Sequence, residues 1–165
     1  MSDDQPATAN AQPIPTADFN LEAWYEKDRE HGRRADELLP VNKAALFGVL
    51  AAAGITTVVV SFDGYGDSGQ IEEIAAQAGD EPAELPDEKI EILSPIWGST
   101  ETKRETYTIQ EAIEHMAYAF LHQTHVGWEN NDGAYGEFTF DVTERTISLD
   151  YNERYTSSEF YTHEF

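Results

Sequence analysis

The stretch EFTFDVTERTISLDY, residues 137–151, decides the fold of this protein. Apolar and polar residues alternate strictly through 137–142 and again through 146–151, and residues 143–145 join the two runs. This period of two is typical of half-buried β-strands, and a short polar connection makes the two strands a hairpin. We expect Glu137, Asp141 and Asp150 on its outer face. The expected inner face is apolar and consists of Phe138, Phe140, Val142, Ile147, Leu149 and Tyr151.

Three earlier segments add strands to this hairpin. Residues 55–62 are rich in β-branched side chains and predict a strand. Residues 71–78 fit a helical period, and they also fit a hairpin partner for 55–62 because the loop between them is rich in glycine. We favour the strand. Residues 89–93 alternate well enough for a short edge strand.

Three helices are expected around the sheet. The first begins near Asp18 and ends at Pro40, because proline breaks a helix interior. Pro40 then opens a second, largely buried helix to Ala53, with Gly54 as its C-terminal cap. A third helix begins at a capping box formed by Thr108 and Glu111 and runs to about residue 124.

These elements predict an α+β fold, with an antiparallel β-sheet of about four to five strands and three helices packed mainly on one face. Residues 1–16 contain three prolines and few large apolar groups, so we expect a disordered tail there. Residues 17–165 are then a single α+β domain.

The charge of the chain is its most unusual property. It has 32 Asp and Glu against 10 Lys and Arg, a formal net charge of −22. Such a surface repels phosphate, so direct binding to nucleic acid or to an anionic membrane is disfavoured and a basic protein partner is favoured. The chain has no cysteine, which excludes thiolate catalysis and cysteine-ligated metals. The N-terminus lacks the regions of a signal peptide, and cytoplasmic localisation is the expectation.

Two loops combine glycine with acidic residues. The first, residues 61–70, contains Asp63 and Asp67, and the second, residues 127–137, contains Glu129 and Asp132. If both lie at one end of the sheet, these four carboxylates form a cluster that could hold Ca²⁺ or Mg²⁺. The first loop does not match an EF-hand, because Tyr65 stands where an oxygen ligand is required. The alternative is that the acids and amides bond to the backbone of their own loops.

The C-terminal residues are aromatic and acidic, with large rings at Tyr155, Phe160, Tyr161 and Phe165. Rings of this size either pack on the body of the protein or dock a partner. We expect packing.

The string FDGYGDSGQIEE, residues 62–73, and the string beginning GWENNDGAYGEF at residue 127 resemble the domain-of-unknown-function family 6878. The resemblance covers roughly residues 55–165 without the acidic middle. It implies a small α+β protein of bacterial, plasmid or phage origin. It implies no activity.

From these observations we expect an acidic protein-interaction module that mimics DNA or RNA and inhibits a basic nucleic-acid-binding protein, such as a CRISPR or restriction nuclease. Concentrated on one face, 22 excess charges match about eleven base pairs, at two phosphates per ~3.4 Å step. The candidate contacts are Glu72, Glu73, Glu88, Glu91, Glu137, Asp141, Asp150 and Glu153. The alternative is a divalent-cation (Ca²⁺ or Mg²⁺) binding module or a metal-dependent hydrolase using the acidic loops. An enzyme is the less expected class, and no catalytic residue is predicted.

Overall fold

The computed structural model describes residues 20–66, 68–130 and 132–165. The expected tail, residues 1–16, and the candidate ligand Asp67 lie outside this part of the chain. The chain divides into two compact units. One consists of the residues up to Leu38 together with Ser94–Lys103, and the other consists of Leu39–Leu93 and Arg104–Phe165.

Two helices and seven strands make up the described residues. The helices are α1 (Leu21–Ala52) and α2 (Ile109–Thr124). The strands are β1 (Thr57–Tyr65), β2 (Ser68–Ala78), β3 (Glu81–Ala83), β4 (Lys89–Pro95), β5 (Thr102–Thr108), β6 (Ala134–Asp141) and β7 (Thr146–Glu153). Five strands form an antiparallel sheet in the order β3-β2-β1-β6-β7, and β4 and β5 pair in a second sheet. The predicted α+β class with an antiparallel sheet is confirmed.

The prediction of three helices is wrong, because α1 continues through Pro40. A proline inside a helix removes one i→i−4 hydrogen bond and costs roughly 3 kcal/mol. Burial of Leu46, Phe47 and Leu50 beyond the proline offsets this cost. Gly54 ends the helix as predicted: its φ is +80° and its N–H donates to the Ala51 carbonyl.

The predicted strand at 71–78 is confirmed as part of β2, and the hairpin quoted above is confirmed as β6 and β7. Strand β5 was not predicted. Its sequence TKRETYT is mostly polar, so it shows no alternation of apolar and polar residues. Strand β4 was predicted as an edge strand, and its partner is β5.

Helix α2 begins with the predicted capping box. The hydroxyl of Thr108 accepts from the N–H of Glu111 at 3.1 Å, and the Glu111 carboxylate accepts from the N–H of Thr108 at 2.9 Å. The buried face of this helix packs with the inner residues of β1 and β6 into one core. The core residues of those strands are Val58, Val60 and Phe62 of β1 and Ala134, Phe138 and Phe140 of β6.

The smaller unit has contacts of its own. The guanidinium of Arg34 donates to the carbonyls of Ser99 and Glu101 and to the Thr102 hydroxyl, at 2.8–3.0 Å. The rings of Trp24 and Trp97 lie 5.9 Å apart. These bonds join the β4–β5 connection to the N-terminal part of α1. In the described part of the chain, no helix is long and apolar enough to cross a membrane.

Candidate functional site

The five-stranded sheet has one face against the helices and one face exposed. Phe47 of α1 and Phe120 of α2 contact Phe140 and Phe138, with ring centroids 6.4 and 6.1 Å apart, so the helices cover the face that holds the apolar residues. Successive residues of a strand point to opposite faces. The alternate positions, including Ser61 of β1, therefore form what we call the outer face.

A row of carboxylates crosses the outer face. Glu73 of β2 lies opposite Ser61, Ser61 lies opposite Glu137 of β6, and Glu137 lies opposite Asp150 of β7. We call Glu73, Glu137 and Asp150 the carboxylate row. Neighbouring strands are about 4.8 Å apart, so three strand spacings give the row a width of about 14 Å. All three side chains are exposed.

The carboxylate row is not neutralised by its surroundings. None of its three side chains has a hydrogen-bond or ion-pair partner among the described residues. The guanidinium of Arg154 reaches the outer face at its end, where it is paired with Asp63 and not with the row. Glu137 and Asp150 stand directly opposite each other, and like charges in this position destabilise a sheet. The row therefore favours the approach of a positively charged group.

Two other carboxylates of the outer face have partners. Asp141, at one end of β6, accepts from the N–H of Glu144 at 3.0 Å and so caps the turn to β7. Asp63, at the opposite end of the face, accepts two bonds from the Arg154 guanidinium, at 3.0 and 3.2 Å. These two residues shape the ends of the sheet.

The remaining candidate contacts lie elsewhere. Glu72 is the extra residue of an irregularity in β2 and accepts from Gln70 at 3.2 Å. Glu88 and Glu91 lie before and within β4, outside the five-stranded sheet, and Glu91 pairs with Arg104 at 3.0 Å. Glu153 is opposite the buried Ala134, so its position belongs to the inner face. The structure brings three of the eight candidates into one row.

The two glycine loops do meet at one end of the sheet. Trp128 of the second loop is 9% exposed and packs against Gly64 and Gly69, which face each other on β1 and β2. A Cβ atom at Gly64 would lie 2.5 Å from Trp128 Cζ3, and one at Gly69 would lie 2.8 Å from the same atom. The glycines of the first loop therefore make room for the indole of the second.

Arg154 joins the same two loops, and the sequence alone did not reveal it. Besides Asp63, its guanidinium donates to the Gly64 carbonyl at 3.1 Å and lies 4.6 Å from the centre of the Tyr135 ring. The hydrogen bond that Arg154 donates to the Asp63 carboxylate is the main reason that the pKa of Arg154 is raised above its ordinary value. The sequence offered one signal for this role: basic residues are rare in this part of the chain, where Arg145 and Arg154 are the two Lys or Arg residues after residue 104.

The four predicted metal ligands are only partly described. Asp63 is bound by Arg154, and Asp132 accepts from the Thr156 hydroxyl at 2.7 Å. Glu129 lies beside the Trp128–Gly69 contact. No group of three or more His, Asp or Glu within residues 20–66, 68–130 and 132–165 is placed to hold a metal ion. The role of Asp67 stays a prediction.

Behind the second loop is an open cavity of about 490 Å³, lined by His125, Trp128, Tyr151 and Glu153 among others. The rings of His125 and Tyr151 are stacked, with centroids 3.6 Å apart. Burial raises the pKa of the Tyr151 hydroxyl, and the charges of Glu153 and Glu129 add to this. Glu153 lines this cavity on the inner face and so is not part of the outer face.

The fold defines a class of mixed α+β proteins in which helices cover one face of an antiparallel sheet and leave an acidic face exposed. The chain belongs to the Family of unknown function (DUF6878), whose model matches residues 38–165. No curated protein and no solved structure matches the chain.

Proposed function

We propose that this protein is a cytoplasmic, acidic interaction module that occupies the nucleic-acid site of a basic protein and inhibits it. The carboxylate row carries the proposal: three exposed, unpaired acids on a rigid sheet, two of them held opposite each other against their mutual repulsion. A partner supplying lysine or arginine would remove that repulsion and replace it with attraction.

The dimensions of the row support a mimic of a duplex. Its width of about 14 Å is close to the roughly 12 Å width of the major groove of B-DNA. The match is shorter than the eleven base pairs estimated from the net charge. The estimate of eleven base pairs requires all the excess charge on one face. Exposed acids such as Glu84, Asp87 and Glu88 do not lie on the outer face of the sheet. By charge, the three carboxylates of the row match about one and a half base-pair steps, at two phosphates per step.

A restriction or CRISPR nuclease is the proposed partner, because such enzymes hold nucleic acid in a positively charged channel. A setting on a plasmid or phage, where an inhibitor of these enzymes is useful, would agree with this partner. Binding between opposite charges is fast and weakens as salt is added.

The test compares two variants with the same change of charge. The first is Glu73→Gln/Glu137→Gln/Asp150→Asn, which removes the carboxylate row. The control is Glu84→Gln/Asp87→Asn/Glu88→Gln, which removes two Glu and one Asp from an exposed segment off the face. Each purified protein competes with a fluorescent DNA duplex for a panel of restriction and CRISPR nucleases at low salt.

Exposed ion pairs contribute about 0.2–1 kcal/mol each, so losing three weakens binding by about 0.6–3 kcal/mol, or roughly 3- to 150-fold. The control variant is expected to stay within about twofold of the original protein after the smaller general effect of charge. Equal weakening by the two variants would show that only net charge matters, and competition with no nuclease in the panel would contradict the proposal.

The cation-binding or hydrolase alternative has a separate test. Calorimetry with Ca²⁺ and Mg²⁺ on the original protein and on Asp132→Asn would reveal a site in the acidic loops. Heat that the variant loses would favour the alternative. The pairing of Asp63 with Arg154 gives this alternative less support than the carboxylate row gives the first proposal.

A further inference from the structure

The C-terminal residues 154–165 carry large aromatic side chains that stay exposed, contrary to the expectation that they pack on the body of the protein. Tyr161 is 72% exposed, Phe160 is 89% exposed and Phe165 is fully exposed. The segment after Glu153 forms no helix or strand. Exposed rings at this density mark a segment that binds another surface.

The rings of this segment have the spacing of a β-strand. Tyr161, His163 and Phe165 are two residues apart, so they share one side of an extended chain, while Phe160 and Thr162 lie on the other. The rings of His163 and Phe165 already lie on the same side, with centroids 6.2 Å apart. The sequence FYTHEF is also rich in residues that favour strands.

A matching surface lies along the edge strand β7. Among the described residues no strand pairs with its outer edge. On the inner face Ile147, Leu149 and Tyr151 are two residues apart and partly buried. Ile147 and Leu149 border a groove of about 230 Å³, whose other walls include Leu39 and Lys43 of α1 and Phe120 of α2.

We propose that the C-terminal segment of one copy of this chain pairs with β7 of a second copy, and that the second copy returns the same contact. Tyr161 lies opposite Tyr151, His163 opposite Leu149, and Phe165 opposite Ile147 in an antiparallel pair. This places the rings of His163 and Phe165 over the groove.

In the structure this segment does not fold back onto β7 of its own chain, since Tyr161 and Phe165 are exposed. The N–H of Arg154 donates to the Gly133 carbonyl at 2.9 Å, which continues the β6–β7 ladder beyond Glu153. A hairpin within one chain, turning at residues 155–157, would have the same register and would leave the protein monomeric. Between two copies the same register is symmetric about Thr156, as a two-fold dimer requires.

The buried area is sufficient for a stable dimer. A buried aromatic side chain removes about 150–250 Å² from water, so two rings from each tail give roughly 600–1,000 Å². The grooves contribute a similar area, which brings the total to about 1,200–2,000 Å², the size of a standard interface. The charge of −22 on each copy opposes association, so added salt should favour the dimer.

Sedimentation equilibrium of the full chain at about 0.1 M and about 1 M salt tests the proposal, since the screening length falls from about 10 Å to about 3 Å. We expect a dimer that tightens with salt, whereas the nuclease binding proposed above weakens with salt. Phe165→Ala should raise the dimer dissociation constant more than about tenfold. Phe160→Ala, on the opposite side of the strand, is the matched control and should leave it within about twofold.

The register makes one more prediction. It brings Glu159 of one copy opposite Glu153 of the other, so Glu159→Gln should tighten the dimer. Hydrogen exchange at the amides of β7 should slow in the dimer.

Two outcomes would overturn the proposal. One is a monomer at every protein concentration and both salt levels, and the other is an equal loss of dimer affinity from Phe160→Ala and Phe165→Ala. All these variants change exposed side chains, so their folding is expected to be unaffected.

Discussion

The contact between Trp128 and Gly69 predicts an unusual response to adding a single methyl group. In Gly69→Ala the new Cβ lies 2.8 Å from Trp128 Cζ3 and 2.9 Å from Glu129 Cβ, which is too close without a shift. Overpacking of this kind costs roughly 1–3 kcal/mol, and the gain from replacing a strand glycine is about 0.5–1 kcal/mol. The variant should therefore lose up to about 2 kcal/mol of unfolding free energy.

The same change should have the opposite effect once the indole is removed. Trp128→Ala by itself costs about 3–5 kcal/mol, as expected for a buried tryptophan. In that background Gly69→Ala meets no ring and should be neutral or stabilising by up to about 1 kcal/mol. The coupling energy of the double-mutant cycle is then about 1–3 kcal/mol.

Urea unfolding followed by far-UV circular dichroism measures all four proteins, because this signal does not depend on tryptophan. Gly48→Ala is the matched control: it lies in α1 with nothing within 4 Å of a new Cβ, and it should stabilise by about 0.5–1 kcal/mol. If the two changes are simply additive, the indole does not occupy the space between the glycines and the reasoning is refuted.

Two other predictions concern single side chains. Asn42 is buried and exchanges two 2.9 Å hydrogen bonds with the backbone of Leu93, so Asn42→Ala should lower the unfolding free energy by about 2–4 kcal/mol; a loss below about 0.5 kcal/mol in urea would contradict this. The hydrogen bond from Tyr107 to Glu105 is the main cause that raises the pKa of Tyr107 to about 12, with burial second. The folded state therefore keeps this proton above the ordinary pKa of about 10, and the stability it contributes is lost as the pH rises from 10 through 12. Ultraviolet titration should show a tyrosine that titrates late, near pH 12, and that Tyr107→Phe removes, and an unchanged titration would count against the bond.

Short-range signals were sufficient for much of the fold. The alternation in 137–151 and the β-branched run at 55–62 identified β6, β7 and β1. The two-residue period of a strand can be read from the residues of that strand alone. Thr108 and Glu111 located the start of α2 for a similar reason: a capping box is closed within four residues. The prediction that a helix ends at Pro40 was wrong, because burial further along the helix outweighs the local cost of the proline. The residues next to Pro40 do not reveal that burial.

For the candidate site, the sequence by itself determined which residues carry charge and, within each strand, which of them face outward. It did not determine which strands are neighbours, so it ranked Glu88 and Glu91 equally with Glu73 and Glu137. Only the tertiary structure placed β2, β1, β6 and β7 side by side and so created the carboxylate row, and only it paired Asp63 with Arg154, 91 residues away. The physical reason is that alternation is a property of one strand, whereas a row across a sheet and a long-range ion pair depend on register and packing between segments distant in the chain.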